Sequence, residues 1–301
     1  MPDIIGKRFR FLAISGLVIL AGIISLGVFG LKAGIEFSSG SQLTLRFEQA
    51  VETGQMRQEL GALDHDNAIV QTTGEGDFLI RTFELSANEK VALEEGLETA
   101  FGPFTERGFE NIDPVIARQT ARTAAIAVAV AAVGILLYVT WAFRRMPKPF
   151  RYGTGAIIAL LHDALVALGV FSILGAIFGW EVNLMFIIGI LAVIGYSVNN
   201  TVVVFDRIRE NLIRAHRPVF TEVVNTSLAQ TLLRSVNTSL TTVIVILALM
   251  LFVGAQIQNF AAVMLTGIIA GTYSSLFVAP SILVIWEKGE WRRLLPGRLR
   301  D

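Results

Sequence analysis

The sequence predicts an α-helical integral membrane protein of six spans, with one α+β domain inserted between the first span and the second. Three observations carry that prediction. Of the 301 residues 53% are apolar and only 17% charged, and the mean hydropathy is +0.61, outside the range of soluble domains. Six apolar runs each reach the roughly 20 residues that a helix needs to cross a bilayer. Between the first and second of them lies a long stretch too polar for lipid.

The first run, Phe11 to Leu31, follows Lys7, Arg8 and Arg10. At about 20 residues it exceeds the h-region of a signal peptide, so an uncleaved anchor is expected. Residues 1–31 are then a short N-terminus and the first span. The polar stretch Lys32 to Thr123 reads as a folded domain: a strand at Gln42 to Phe47, a helix at Glu52 to Leu60, and strands at Ala68 to Thr72 and Phe78 to Phe83. Ser86 and Glu89 have capping-box spacing and open a helix to about Phe101, which Gly102 and Pro103 end. Phe104 to Ile112 is the last strand. The order βαββαβ is that of the split-βαβ, ferredoxin-like motif, with two helices on one face of an antiparallel sheet. Its acidic residues, Asp64, Asp66, Glu75, Asp77, Glu94, Glu95 and Glu98 among them, read as solvated surface before they read as a docking patch.

Residues 124–286 supply the other five spans, near Ala124 to Phe143, Gly153 to Phe178, Leu184 to Phe205, Leu232 to Val253 and Phe260 to Trp286. A basic tail, residues 287–301, closes the chain. Arg144, Arg145, Lys148 and Arg151 separate the second and third spans, while Arg207, Arg209, Arg214 and Arg217 follow the fourth. With Lys288, Arg292, Arg293, Arg298 and Arg300 at the end, every second connection is basic. The turns Gly179 to Asn183 and Gly254 to Asn259 hold one charge, Glu181. The positive-inside rule therefore places both termini in the cytoplasm and the inserted domain outside.

Soluble-enzyme chemistry finds no support. His65, His162 and His216 lack metal-ligand spacing, there is no HExxH, Walker loop or GxSxG, and no cysteine is present to hold zinc or form a disulfide. No metal, cofactor or nucleic-acid partner is expected. The polar residues within the spans say more, because an ionisable group at bilayer depth costs at least about 2.5 kcal/mol. Asp163, in "LLHDALVAL", stands about 18 Å into the third span at 1.5 Å per residue. It is either a proton site or half of a buried polar pair, with the adjacent His162 as a candidate partner although consecutive helical side chains diverge. Asn199 and Asn200 sit in the cytoplasmic half of the fourth span, which ends in the charge cluster Asp206, Arg207, Arg209 and Glu210. In the fifth span Arg234, Asn237, Thr238 and Thr241 stand at i, i+3, i+4 and i+7, one polar stripe at a depth comparable with Asn200. Arg234 either meets Asn200 there or snorkels to the headgroups. With Asp163 and Arg234 short of partners within the chain, a second membrane protein is expected against the fourth to sixth spans, helped by the GxxxG pair Gly267 and Gly271.

The ordered stretches "GIEFSSG", "IDPVIARQTARTA", "LLHDALVALGVF", "IGYSVNNTVVVFDRIREN" and "NTSLAQTLLRSVNTSLTT" resemble the SecF family, a branch of the resistance-nodulation-division superfamily, along nearly the whole chain. The resemblance implies a periplasmic ferredoxin-like domain, a pseudo-symmetric six-span SecD partner, and use of the proton-motive force to help preproteins leave the SecYEG channel in the bacterial inner membrane. It also implies that Arg234 is coupled to a carboxylate. Family members commonly have aspartate at the position of Asn200, in a "GYSxND" pattern, so the titrating group is expected on the partner chain. Glu36 and Ser39 stand where "GxDFxGG" is usual, and "IDPVIARQT" replaces the commoner "GPxxGxEL". A structural scaffold without proton chemistry, with Asn200 as interhelical glue, and an exporter of lipid or hydrophobic small molecules are the alternative readings.

Overall fold

The computed structural model describes residues 3–73, 76–215, 219–252 and 257–290. Glu75, His216, Arg217, Gly254 and the tail arginines Arg292, Arg293, Arg298 and Arg300 lie outside the described residues. In chain order the first elements are α1 (Arg8–Phe29), α2 (Ile35–Ser38), β1 (Gly40–Phe47), α3 (Thr53–Ala62), β2 (Ile69–Thr72), β3 (Phe78–Thr82), α4 (Ala87–Phe101) and β4 (Phe104–Ile112). Long helices follow: α5 (Pro114–Ala142), α6 (Phe150–Phe178), α7 (Leu184–Arg214), α8 (Phe220–Phe252), α9 (Gln258–Tyr273) and α10 (Ala279–Lys288), the last two joined by a π-helical turn at Ser274–Val278. Among the described residues six helical stretches are long and apolar enough to cross a membrane, the sixth running from α9 through the π turn into α10. The chain divides into two compact units, one drawn from 1–31, 127–180 and 185–301 and the other from 32–126 with 181–184.

In the second unit the strands form an antiparallel sheet of order β2-β3-β1-β4. Alternation along β1 and β3 turns Leu43, Leu45, Phe47, Phe78 and Ile80 to one face, where Met56 and Leu60 of α3 and Leu93 and Leu97 of α4 complete the core. Ser86 caps α4 with the full reciprocal capping box that the Ser-x-x-Glu spacing predicts. The opposite face carries Arg81, whose guanidinium donates to Gln42 Oε1 at 2.7 Å and pairs with Glu181 at 2.5 Å. Glu181 belongs to the connection between α6 and α7, and that connection pairs with residues 32–34. The Val182 amide donates to the Lys32 carbonyl and the Gly34 amide to the Val182 carbonyl, each at 2.8 Å.

The sequence around Gly34 to Gly40 sets the entry to this sheet. Ser39 adopts φ 63° and ψ 171°, a region that is otherwise almost confined to glycine. Gly40 follows at φ 113°, and a Cβ there would come within 2.4 Å of the Thr82 carbonyl oxygen.

In the first unit small residues set the helix contacts. A Cβ on Gly169 of α6 would lie 2.6 Å from the Gly22 Cα of α1, and the Ser25 and Ser172 hydroxyls are 2.8 Å apart on the same seam. Gly267 and Gly271 seat α9 against α7: added Cβ atoms would meet Val193 at 2.3 Å and Ser197 at 2.9 Å. This corrects the expectation that the GxxxG pair serves a second protein, because its grooves are already filled from within. The sixth span is likewise internal, with 78% of its most apolar stretch buried against 17% for α8 and 6% for α5.

Candidate functional site

Asp163, midway along α6, is the centre of a buried polar cluster. It is 1% exposed. Its Oδ1 lies 2.9 Å from His162 Nδ1, and its Oδ2 accepts from Ser197 of α7 at 2.5 Å and from Ser274, the first residue of the π turn, at 2.9 Å. Three elements therefore converge on one carboxyl group. The expectation that this chain offers Asp163 few partners is corrected, since both oxygens are engaged. The imidazole reaches the neighbouring side chain despite the divergence of consecutive helical residues because the contact is made between side-chain tips. Gly271 leaves the room: a Cβ there would stand 3.4 Å from Asp163 Oδ2.

The cluster continues toward the C-terminal half of α7. Thr201 Oγ1 donates to the Ser197 carbonyl at 3.1 Å and lies 2.8 Å from Ser275 Oγ, and Ser275 also donates to the Ser197 carbonyl. Ser197, Thr201, Ser274 and Ser275 are all buried. None of the four was singled out from the sequence. The signal that could have found them is spacing: Ser197 and Thr201 stand one turn apart on one face of α7, and Ser274 and Ser275 form the polar pair of the last span.

Asn200 shares the buried side of α7, and its Nδ2 has no hydrogen-bond partner among the described residues. Asn199 is exposed. Arg234, Asn237, Thr238 and Thr241 are exposed as well, and no ion pair holds Arg234 among the described residues. No hydrogen bond joins Arg234 to Asn200. α8 turns Ser227, Thr231, Ser235 and Ser239 inward, and the step of about 100° from Ser235 to its neighbour carries Arg234 to the outer side. Thr238 and Thr241 spend their hydroxyls on the α8 backbone, donating to the Arg234 carbonyl at 2.9 Å and the Thr238 carbonyl at 2.8 Å. The stripe thus leaves one fixed cation facing away from its own chain.

At the end of α7 the charge cluster is paired locally. Asp206 holds Arg209 at 2.7 Å, and Glu210 holds both Arg207 and Arg214. Arg207 also donates to Gln230 of α8 at 2.7 Å, and Asn211 donates to Ser227 and Gln230. These contacts tie the end of α7 to the start of α8.

The fold and this centre define a class: multi-pass helical membrane proteins with a polar cluster packed among the spans. Residues 93–289 match the family model described as "Protein export membrane protein SecD/SecF, C-terminal", and residues 24–51 match the "SecD/SecF GG Motif". The chain belongs to the SecD/SecF family, on its SecF side. It is 42% identical to the protein translocase subunit SecF of Thermobaculum terrenum, over 98% of this chain and 96% of that one. It is 34% identical to the protein translocase subunit SecDF of Bacillus subtilis over 97% of its own length, but spans only 39% of that relative. A crystal structure of SecDF from Thermus thermophilus superposes with a TM-score of 0.86 at 33% identity, covering 95% of this chain and 39% of that one.

Proposed function

We propose that this chain is a protein-export accessory subunit of the bacterial inner membrane that pairs with a SecD-like six-span protein and uses the proton-motive force to promote preprotein translocation through the Sec channel. The observation that carries the reading is Arg234. A guanidinium on an outward face of a spanning helix, with no ion-pair partner among the described residues, requires an anion or several acceptors from outside. A carboxylate of the partner chain supplies that anion, and its protonation weakens the attraction and shifts the balance between two arrangements of the complex. The SecDF relatives support a partner of this kind, since this chain matches 39% of each. On this reading both termini are cytoplasmic, and residues 32–123 are a periplasmic ferredoxin-like domain whose sheet edges, β2 and β4, offer backbone groups to an emerging unfolded chain without reading its sequence.

The test is Arg234→Met in the assembled complex, a change that keeps length and removes charge. Co-isolation with the SecD-like partner is expected to survive while proton-dependent export is lost. Full proton-dependent export by the variant leaves the scaffold reading in its place.

A further inference from the structure

Asn200 on α7 cannot titrate, yet on the neighbouring α6 a carboxyl group, that of Asp163, is buried with a histidine beside it. We propose that Asp163 and His162 form a proton-binding site of this chain itself, and that the site clamps α6, α7 and the π turn together through the hydroxyls of Ser197 and Ser274. The proposal rests on the proton-coupled reading above, but it concerns a different group from Arg234.

Proton accounting comes first. A 2.9 Å contact between Nδ1 and Oδ1 requires one proton between them, so with a neutral imidazole and an ionised carboxyl the pair carries one negative charge. A second proton, taken from water onto Asp163 Oδ2, leaves a neutral carboxylic acid beside the neutral imidazole. No covalent bond other than N–H or O–H is made or broken. Tyr273 stands against this pair, its ring stacked on His162 at 6.2 Å and its hydroxyl donating to the Phe11 carbonyl of α1. From α7 and the π turn only hydroxyls, Ser197 and Ser274, reach the carboxyl group. Among the described residues no fixed cation is bonded to Asp163, so neutralising the pair is left to the proton.

The mechanical consequence lies at Oδ2. Hydrogen bonds to an ionised carboxylate are shorter and about twice as strong as neutral ones, so the charged state draws Ser197 and Ser274 onto one atom. Proton uptake removes that charge and relaxes both contacts at once. The element released is the π turn, a rare irregularity in helical hydrogen bonding that frequently accompanies functional sites. Ser275 and Thr201 carry the change along α7 toward Asn200, whose Nδ2 is an unused donor.

A buried pair that only braces the helices keeps one protonation state across the pH range in which the fold is stable, and that difference decides the matter. The purified full-length chain in lipid nanodiscs, labelled with carboxyl-13C aspartate, is examined by infrared difference spectroscopy across its stable pH range. We expect an aspartic-acid carbonyl band that rises as pH falls, is lost in Asp163→Asn, persists at a changed frequency in Ser197→Ala, and titrates at a displaced pH in His162→Gln. Hydrogen exchange at residues 271–278, corrected for intrinsic pH dependence, should accelerate on the same titration and lose that response in Asp163→Asn. An aspartate band that does not titrate, or one that titrates unchanged in Asp163→Asn, overturns the proposal, and the wild-type measurement decides the first point even if the variant does not fold. Because neither readout involves export or a partner, the outcome is independent of the Arg234→Met test.

Discussion

Arg81 and Glu181 form an ion pair at 2.5 Å, with both side chains about nine-tenths buried, and they join β3 to the connection between α6 and α7. Gln71 adds a further bond, donating to Glu181 Oε1 at 3.1 Å. Breaking such a pair from one side leaves a buried charge uncompensated, at a cost on the order of 3 kcal/mol. We expect Glu181→Gln and Arg81→Met each to lower the stability of the full-length chain by about that amount. The double variant should fall well short of the sum, because neither charge is then left alone. Thermal unfolding of the three variants checks this, and additive losses would show that the two residues act separately.

Ser39 offers a gain. Its φ of 63° with ψ of 171° costs about 1–3 kcal/mol for a residue with a Cβ, partly offset by the chain entropy a glycine would add, about 0.5–1 kcal/mol. Ser39→Gly is expected to raise stability by about 1 kcal/mol. Gly40→Ala should do the reverse, on the order of 3 kcal/mol or more, because its Cβ would stand 2.4 Å from the Thr82 carbonyl oxygen. Limited proteolysis of the two variants reads both signs in one experiment.

Asn200 carries a donor without an acceptor. Removing such a group from a buried position recovers its desolvation cost, about 1–3 kcal/mol less the packing lost. Asn200→Leu is therefore expected to melt no lower than the parent. Proton-dependent export should fall less than in Arg234→Met, and Asn200→Asp should keep it. A drop in melting for Asn200→Leu would mean that Nδ2 is bonded in the folded protein.

The pH response of the sheet unit follows from the Lys90, Glu94 and Glu106 cluster. Hydrogen bonding to Glu106 raises the Lys90 pKa, and the same bond to Lys90 lowers that of Glu106. Burial raises Glu94 against the pull of Lys90. The lysine contribution is therefore present below the ordinary value of about 10.4 and is lost as pH rises through its raised folded value. That of Glu106 is present above the ordinary value of about 4.3 and is lost on acidification, while Glu94 opposes it. The pairs are largely solvent-screened, so each limb is worth at most about 1 kcal/mol. Lys90→Met should flatten the alkaline limb of a stability-against-pH profile, and an unchanged limb would remove the ion pair from the account.

Much of this architecture was legible in the residues. The last strand runs over Phe104 to Ile112 in both readings, and the capping box at Ser86 and Glu89 forms as its spacing requires. Hydropathy located six spans but not where their helices stop: α7 continues to Arg214 and α8 already begins at Phe220, because a helix does not end where its apolar stretch does. The facing of polar side chains was the harder part. The α8 stripe could be read, but the hydroxyls of Ser227, Thr231, Ser235 and Ser239 fix which side of that helix is inward, and serine and threonine are too common in membrane helices to rank by pattern. The same holds for Ser197 and Ser274, which find Asp163 from two other helices.

The near-complete exposure of α5, with 6% of its most apolar stretch buried by its own chain, has a consequence for turnover. A bundle whose α5 is left to lipid alone has few contacts of its own to hold that helix against extraction, so its lifetime in the membrane should be set by the supply of what covers α5.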